Sequence, residues 1–495
     1  MYFSFDKNKF VSKNIEPLKI AISGSDQDIT WGNLKEEVEK FISLFNQLGI
    51  KRGQIVIIYG DKEIFFLIAI LAAIKAGITY VPFDQNYPIE WLQKVKRKTN
   101  ASVIINSGDY SIDILFPIII NSDLSFKINS QITEIEHHTS YTDPIVYIMF
   151  TSGSTGEPKF IQISRSSVLS FIQWLEKDHE FSSKNIFMNH ASLSFDLSVY
   201  SLYATFAFGG TLLLIDDLTY QDQDNFFQKL SQYKVNTWIS TPSFAHIFLV
   251  NQNFCSKKLA TIDTFIFIGE RLRKKLVSKL WSLFNNVEII NSYGPTEATV
   301  ATMFVYCKPE MLDNKHEIPI GIDRINGEVI LLNNNKEGKE GEIVIIGDQV
   351  SLGYLKMDQT NFFKYNNKRA FRTGDYGFMY KEKLYFLGRK DSQIKYNGYR
   401  IELENITSVF LDFDFVENAI TISLKRGDEI KKIVSFVTLV NNHEISSKKL
   451  RNLIESKVPY YMLPSDIKVI RKFPINRNNK IDEKQLLDLY MNNKF

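Results

Sequence analysis

Apolar positions in the first third of the chain recur with two periods. Residues 31–48 carry them at helical spacing, and residues 23–30 before them supply polar capping groups. Residues 54–59 read as a buried strand and residues 63–75 as a helix apolar on every side, with Gly77 closing it. Residues 79–83 read as the next strand. Strand, helix and strand at this spacing make a parallel βαβ unit. The pattern returns as helix and strand at residues 91–98 and 102–105, and again at 223–233 and 237–240. Near residue 320 the texture changes. Residues 327–332, 341–346, 371–380 and 383–387 are short β-prone runs separated by Asn, Gly and Lys, which predicts antiparallel strands with tight turns. The predicted fold class is therefore α/β: a large N-terminal part of α/β sheet layers, and a small β-barrel-like subdomain.

Composition narrows the class without naming it. The chain has 495 residues, 44% hydrophobic and 23% charged, which excludes a disordered tail, a collagen-like fibre and a disulfide scaffold. A net charge of +3 is too balanced for nucleic acid or a membrane surface to be the main partner. Cys255 and Cys307 imply no disulfide framework and point to inert thiols in a reducing compartment. The N-terminal residues lack the basic and apolar regions of a signal peptide, and the longest apolar run, residues 64–74, falls short of the ~20 residues a membrane span needs. The expected setting is cytoplasmic and the expected state a monomer.

One segment carries phosphate chemistry. An apolar strand, residues 146–150, runs into Thr151, Ser152, Gly153, Ser154, Thr155 and Gly156, with Lys159 close behind. Glycines let successive backbone N–H groups converge, hydroxyls add donors, and the lysine adds charge, a set suited to polyphosphate oxygens. A bare Ser/Gly run would read as a surface turn. The strand before it and the Pro-Lys after it favour the phosphate reading, although the spacing is not that of a Walker A loop.

This loop resembles that of the adenylate-forming enzymes: acyl-CoA ligases, luciferases and the adenylation domains of peptide synthetases. Further stretches resemble the family's landmarks in order. Tyr293, Gly294, Pro295, Thr296 and Glu297 are similar to its adenine and magnesium motif, and residues 371–375, ending in Asp375, to its ribose motif. Residues 388–391 are similar to its hinge, residues 393–400 to the stretch after it, and residues 478–482 to its terminal lysine motif.

The resemblance implies ATP and Mg²⁺, and a reaction in which a carboxylate displaces pyrophosphate to form an acyl-adenylate. A carboxylic acid is already ionised at pH 7, so the nucleophile needs no base, and the work is positioning and charge neutralisation. The phosphate loop is implied to hold pyrophosphate, Glu297 to ligate Mg²⁺, and Tyr293 with Gly294 and Thr296 to bind adenine. Asp375 and Arg389 are implied at the ribose, and Lys480 at the reacting carboxylate and α-phosphate. Alone, a near-terminal lysine would read as a solvated side chain, and its surroundings in residues 478–482 reverse that. The family's small C-terminal domain rotates after adenylation, which implies domains at 1–390 and 391–495, the second a mobile α+β unit with Asp391 as hinge and Arg400 on the segment swung in.

Asp196 favours an amino acid. A carboxylate in apolar surroundings is costly unless paired, and in amino-acid-activating members the matching aspartate pairs with the substrate ammonium. The plain alternative is a helix N-cap. Residues 194–199, 209–216, 240–245 and 291–300 are similar to the branch of stand-alone D-alanine–carrier protein ligases. Asp196, Leu197, Tyr200, Ile268, Gly269, Ser292 and Val300 are the implied substrate contacts. That branch carries a cysteine where this chain has Ile268, which is bulkier and stiffer. D-alanine and another small amino acid, such as L-alanine, glycine, serine or proline, both stay open. Phe160 replaces the glycine that usually follows the loop lysine, with no derived consequence. His190 reads as a packed histidine rather than a catalyst. The implied acceptor is a phosphopantetheine-bearing carrier protein in trans. An acyl- or aryl-CoA ligase is the alternative, and Asp196 argues against it.

Residues 391–495 hold 17 Lys+Arg against 14 Asp+Glu, so the whole excess of +3 lies in this segment. The hinge assignment makes one prediction. Asp391→Pro retains ATP–pyrophosphate exchange and loses thioester formation. Equal loss of both in the two assays refutes the hinge.

Overall fold

The computed structural model describes residues 4–5, 8–9, 15–24, 27–108, 110–112, 114, 116–129, 143–151, 158–321, 327–333, 336–389, 393–427, 429–440, 445–474 and 481–492. They form two compact units. The first spans Met1–Gln85, Lys96–Met149 and Phe160–Lys390; the second spans Asn86–Val95, Phe150–Lys159 and Asp391–Phe495.

The first unit holds two large sheets, of seven and eight strands among the described residues. In the seven-stranded sheet, Thr79–Asp84, Ile55–Gly60, Val103–Asn106 and Ile118–Ile120 are parallel neighbours, in that order. The four strands read from the sequence at 54–59, 79–83, 102–105 and 237–240 are present, shifted by at most one residue at either end. The eight-stranded sheet runs Met303–Tyr306, Glu288–Tyr293, Thr264–Phe267, Thr237–Ser240, Ile186–Asn189, Thr211–Leu214, Ile20–Ser23 and Asp28–Thr30. Its first and last pairs are antiparallel and the rest parallel. Here the sequence reading is corrected. Residues 23–30 are not merely a capping stretch: Asp28–Thr30 is an edge strand paired with Ile20–Ser23, and Thr30 caps the next helix, accepting from Asn33 N at 3.2 Å.

Parallel strands are covered on both faces, and the helices between them follow from that. Trp31–Gln47 buries Trp31, Leu34, Val38, Phe41, Leu44 and Phe45, an apolar stripe at spacings of three and four. Ile64–Ala76 is buried almost all round and stops at Gly77, whose φ of 71° is left-handed. Leu197–Phe208 is buried in the same way and stops at Gly209, φ 72°. One apolar core includes these helices together with strand residues of both sheets, among them Val56, Tyr80, Phe187 and Leu212. Beside them lies a third, curled, half-barrel-like antiparallel sheet built on Gly327–Asn333, Glu340–Gly347, Lys368–Tyr380 and Lys383–Arg389.

The second unit contains the hairpin Gln393–Tyr396 and Tyr399–Glu402, the helix Leu403–Leu411, and a sheet of Val416–Arg426, Glu429–Leu439 and Asp466–Val469. Helices Ser447–Glu455 and Glu483–Met491 follow. Trp91 Nε1 donates to Lys457 O at 3.1 Å, and Tyr87 packs on both Phe150 and Tyr461, so the two short internal segments are built into this unit. No helix among the described residues is long and apolar enough to cross a membrane.

One of the charges buried in the first unit among the described residues is a lysine. Lys62 follows the strand Ile55–Gly60 and is buried; its Nζ donates to Ile215 O at 2.6 Å and Asn189 O at 3.4 Å, both at carboxyl ends of strands in the other sheet. Burial lowers the Lys62 pKa to about 8, against the pull of Asp61, Asp217 and Asp84. Burial, with Asp84 beside it, raises Asp61 to about 7. An unfolded Asp titrates near ~3.9, so between about pH 4 and about pH 7 the folded chain holds a proton that the unfolded chain has lost. Stability should fall as pH rises through that window, with a slope of up to about 1.4 kcal/mol per pH unit. Urea unfolding at stepped pH should show this slope in the native chain and not in Asp61→Asn.

Candidate active site

In the first unit the polar groups cluster around two carboxylates. Asp375 lies on the strand Lys368–Tyr380, directly opposite Arg389 on its neighbour. Arg389 Nη1 donates to Asp375 Oδ1 at 2.6 Å, and Tyr293 Oη donates to Oδ2 at 2.5 Å. Arg389 Nη1 also donates to Thr373 O at 3.1 Å, and Asp375 N donates to Thr373 Oγ1 at 3.0 Å. Both side chains of the ion pair are largely enclosed, Asp375 at 4% exposure and Arg389 at 13%. Burial and the Asp375 charge push the Tyr293 hydroxyl well above its usual pKa, so it stays a donor. Three residues singled out from sequence thus form one clamp, and Thr373 completes it.

Tyr293 ends the strand Glu288–Tyr293, and the chain then folds back over Gly294. A Cβ on Gly294 would lie 2.7 Å from Val300 O, 2.8 Å from Ala301 Cα and 2.9 Å from Thr302 N, so only glycine fits. Thr299 and Val300 both have left-handed backbone, at φ 57° and 65°. For β-branched residues this is strained, and such strain persists only where the surroundings enforce it. Thr302 N donating to Tyr293 O at 2.8 Å and Thr299 Oγ1 donating to Gln349 O at 2.7 Å provide that enforcement.

Glu297 sits on the short turn Thr296–Ala298 and is fully buried. Tyr354 Oη donates to its Oε1 at 2.7 Å, and Ser351 N donates to its main-chain oxygen at 2.8 Å. Its neighbour Thr296 donates through Oγ1 to Asp196 Oδ2 at 2.6 Å. Asp196 stands at the N-terminus of the helix Leu197–Phe208 but makes no capping hydrogen bond to it. Its carboxylate turns to Thr296 instead, which sets aside the N-cap alternative. Burial, with neighbouring Tyr203 and Asp196 adding to it, holds the Tyr147 hydroxyl protonated.

Leu197, Tyr200, Ile268 and Val300 share one buried apolar cluster. Tyr200 Oη is 2.9 Å from His179 Nε2, and burial lowers His179 to about 4, so that imidazole is neutral. Gly269 has φ 94°, and Ser292 Oγ is buried without a hydrogen-bond partner among the described residues. His190 stacks on Phe244 at 3.7 Å between ring centroids, and burial keeps it uncharged. Burial raises the Cys307 thiol to about 12, so it is unreactive.

In the second unit, Thr151 Oγ1 is buried without a partner among the described residues. Lys159 Nζ lies 3.2 Å from Glu402 Oε1, and Arg400 stands on the same hairpin strand as Glu402, paired with Lys395. Ser152, Gly153, Ser154, Thr155, Gly156, Asp391 and Lys480 lie outside the described residues. Sequence reasoning gave no role to Tyr354 and Glu402, and read Thr373 and Tyr147 only as members of the stretches 371–375 and 146–150. Tyr354 has no local signal, since its partner Glu297 lies 57 positions away.

A family model described as AMP-binding enzyme matches residues 11–355. A D-alanine–D-alanyl carrier protein ligase of Bacillus licheniformis is 32% identical over 483 residues, covering 95% of this chain and 96% of its own. A ligase of the same description from Listeria monocytogenes is 34% identical, covering 92% and 93%. The crystal structure of the Vibrio cholerae adenylation domain AlmE, in complex with glycyl-adenosine-5'-phosphate, has a TM-score of 0.80 at 22% identity, covering 95% of each chain.

The clamp makes a contrast testable by denaturant unfolding. Asp375→Ala strips the enclosed Arg389 of its counter-charge and should cost about 3 kcal/mol. Tyr293→Phe removes one hydrogen bond and should cost about 1–2 kcal/mol.

Proposed function

As this chain belongs to the AMP-binding enzyme family, we propose that it activates a small amino acid with ATP and passes the aminoacyl group to the phosphopantetheine thiol of a carrier protein acting in trans. The observation that carries this is the 2.6 Å hydrogen bond from Thr296 to Asp196. It sets a half-buried carboxylate, suited to a substrate ammonium, beside the turn that carries Glu297. The similar carrier-protein ligases, aligned along almost the whole chain, support the same reading.

In the first half-reaction a substrate carboxylate oxygen forms a bond to the α-phosphorus of ATP, and the bond from that phosphorus to the bridging oxygen breaks, releasing pyrophosphate. In the second, a thiolate attacks the adenylate carbonyl and AMP leaves. Asp375 takes the ribose hydroxyls, held in place by Arg389 and Tyr293, whose ring flanks the adenine. Asp196 takes the ammonium, and Leu197, Tyr200, Ile268, Gly269, Ser292 and Val300 bound the side chain. Thr151, the loop to Gly156 and Lys159 take the departing pyrophosphate, and the buried Thr151 and Ser292 hydroxyls fit a polar ligand. Lys480 bridges the carboxylate and the α-phosphate, and Arg400 serves the second half-reaction.

Mg²⁺ commonly binds through one or two carboxylates with phosphates and water as its other ligands. The single buried carboxylate of Glu297, steadied by Tyr354, fits that donor set. When bound, the ion neutralises charge on the phosphates. The protein acts as a monomer in the cytoplasm.

An amino-acid panel in ATP–pyrophosphate exchange, including glycine and both alanine enantiomers, tests the proposal. One small amino acid should support exchange, and Asp196→Ala and Lys480→Ala should each lower it by at least about 100-fold, the scale of one lost transition-state contact. Exchange with fatty or aromatic acids and none with amino acids overturns it in favour of a CoA ligase.

A further inference from the structure

The phosphate-loop lysine has a partner that is itself an anion. Lys159 Nζ and Glu402 Oε1 are 3.2 Å apart, with side-chain exposures of only 20% and 5%. Glu402 ends the strand Tyr399–Glu402 and faces Gln393 across the hairpin, whose Nε2 donates to the same Oε1 at 2.6 Å. The carboxylate is therefore fixed by its own hairpin, independently of Lys159. An enclosed carboxylate of this kind is costly without a counter-charge, and Lys159 supplies one.

We propose that Glu402 is a positioning residue that competes with pyrophosphate for Lys159. The inference rests on the phosphate role given to Lys159 above. While the ion pair stands, the lysine charge is largely neutralised, and a fixed negative charge faces the polyanion that the loop must hold. Pyrophosphate binding and the Lys159–Glu402 pair then oppose each other. By linkage, departure of pyrophosphate strengthens the pair as much as the pair weakens pyrophosphate. Product release and engagement of the hairpin that carries Arg400 become one coupled event. This also gives the hairpin glutamate a reason to be enclosed. An exposed pair would be screened and worth little.

The test is the apparent KM for inorganic pyrophosphate in ATP–pyrophosphate exchange by the full-length chain. Glu402→Gln keeps the hydrogen-bonding shape and removes the charge. It should lower this KM about fivefold, the lower end of ordinary site–site couplings, while retaining the maximal exchange rate. Glu402→Asp should restore part of the native value. An unchanged or raised KM in Glu402→Gln overturns the competition. So does loss of exchange in a variant with native circular dichroism, which would make Glu402 structural. Lys159→Ala separates the premise from the inference. A raised KM for ATP and pyrophosphate leaves the phosphate role standing whatever Glu402 does, and no change removes that role and the inference with it.

Discussion

Two parallel-stranded sheets sharing one apolar core impose the constraint from which most of the first unit follows. Helices packed against such sheets, Ile64–Ala76 and Leu197–Phe208, are apolar almost all round. Inside that layer a polar group without a partner is expensive. Polar groups therefore collect at strand and helix ends, where the backbone leaves the ladder. Lys62, Asp196 and Tyr293 all sit at such ends. Each is satisfied by a group from another element: strand-end carbonyls, Thr296 and Asp375 respectively.

The same economy shapes the site. Its carboxylates are not exposed and waiting for ligands. Asp375, Glu297 and Asp196 are each held by a hydroxyl or a guanidinium within 2.7 Å. Such preorganisation places the charge before a substrate arrives, so little reorganisation is left for the reaction. The strained backbone at Thr299 and Val300 belongs to the same arrangement, because the loop that carries Thr296 and Glu297 doubles back over Gly294.

Much of the fold was readable from the chain. The βαβ alternation, the all-apolar helix at 63–75 and the change of texture near residue 320 match observed elements closely, because burial on two faces, on one stripe or on alternate positions leaves a periodic trace. The capping role of Thr30 was legible, while the edge strand Asp28–Thr30 was not, since three residues are too few to show alternation. In the site, the residue types and their order were legible at Tyr293, Glu297, Asp375 and Arg389. The partner Tyr354 was not, because an isolated tyrosine carries no pattern until something faces it.

The sequence by itself determined the α/β class and the order of family landmarks, since each is written in contiguous residues. Tertiary structure alone decided which groups meet. Asp196 and Thr296 are 100 positions apart, Tyr293 and Asp375 82, and Lys159 and Glu402 243. A side-chain hydrogen bond depends on distances of a few tenths of an ångström between separately folded elements. No local periodicity encodes such a distance. The opening pattern of apolar positions built the frame, and the frame chose the partner of each charge.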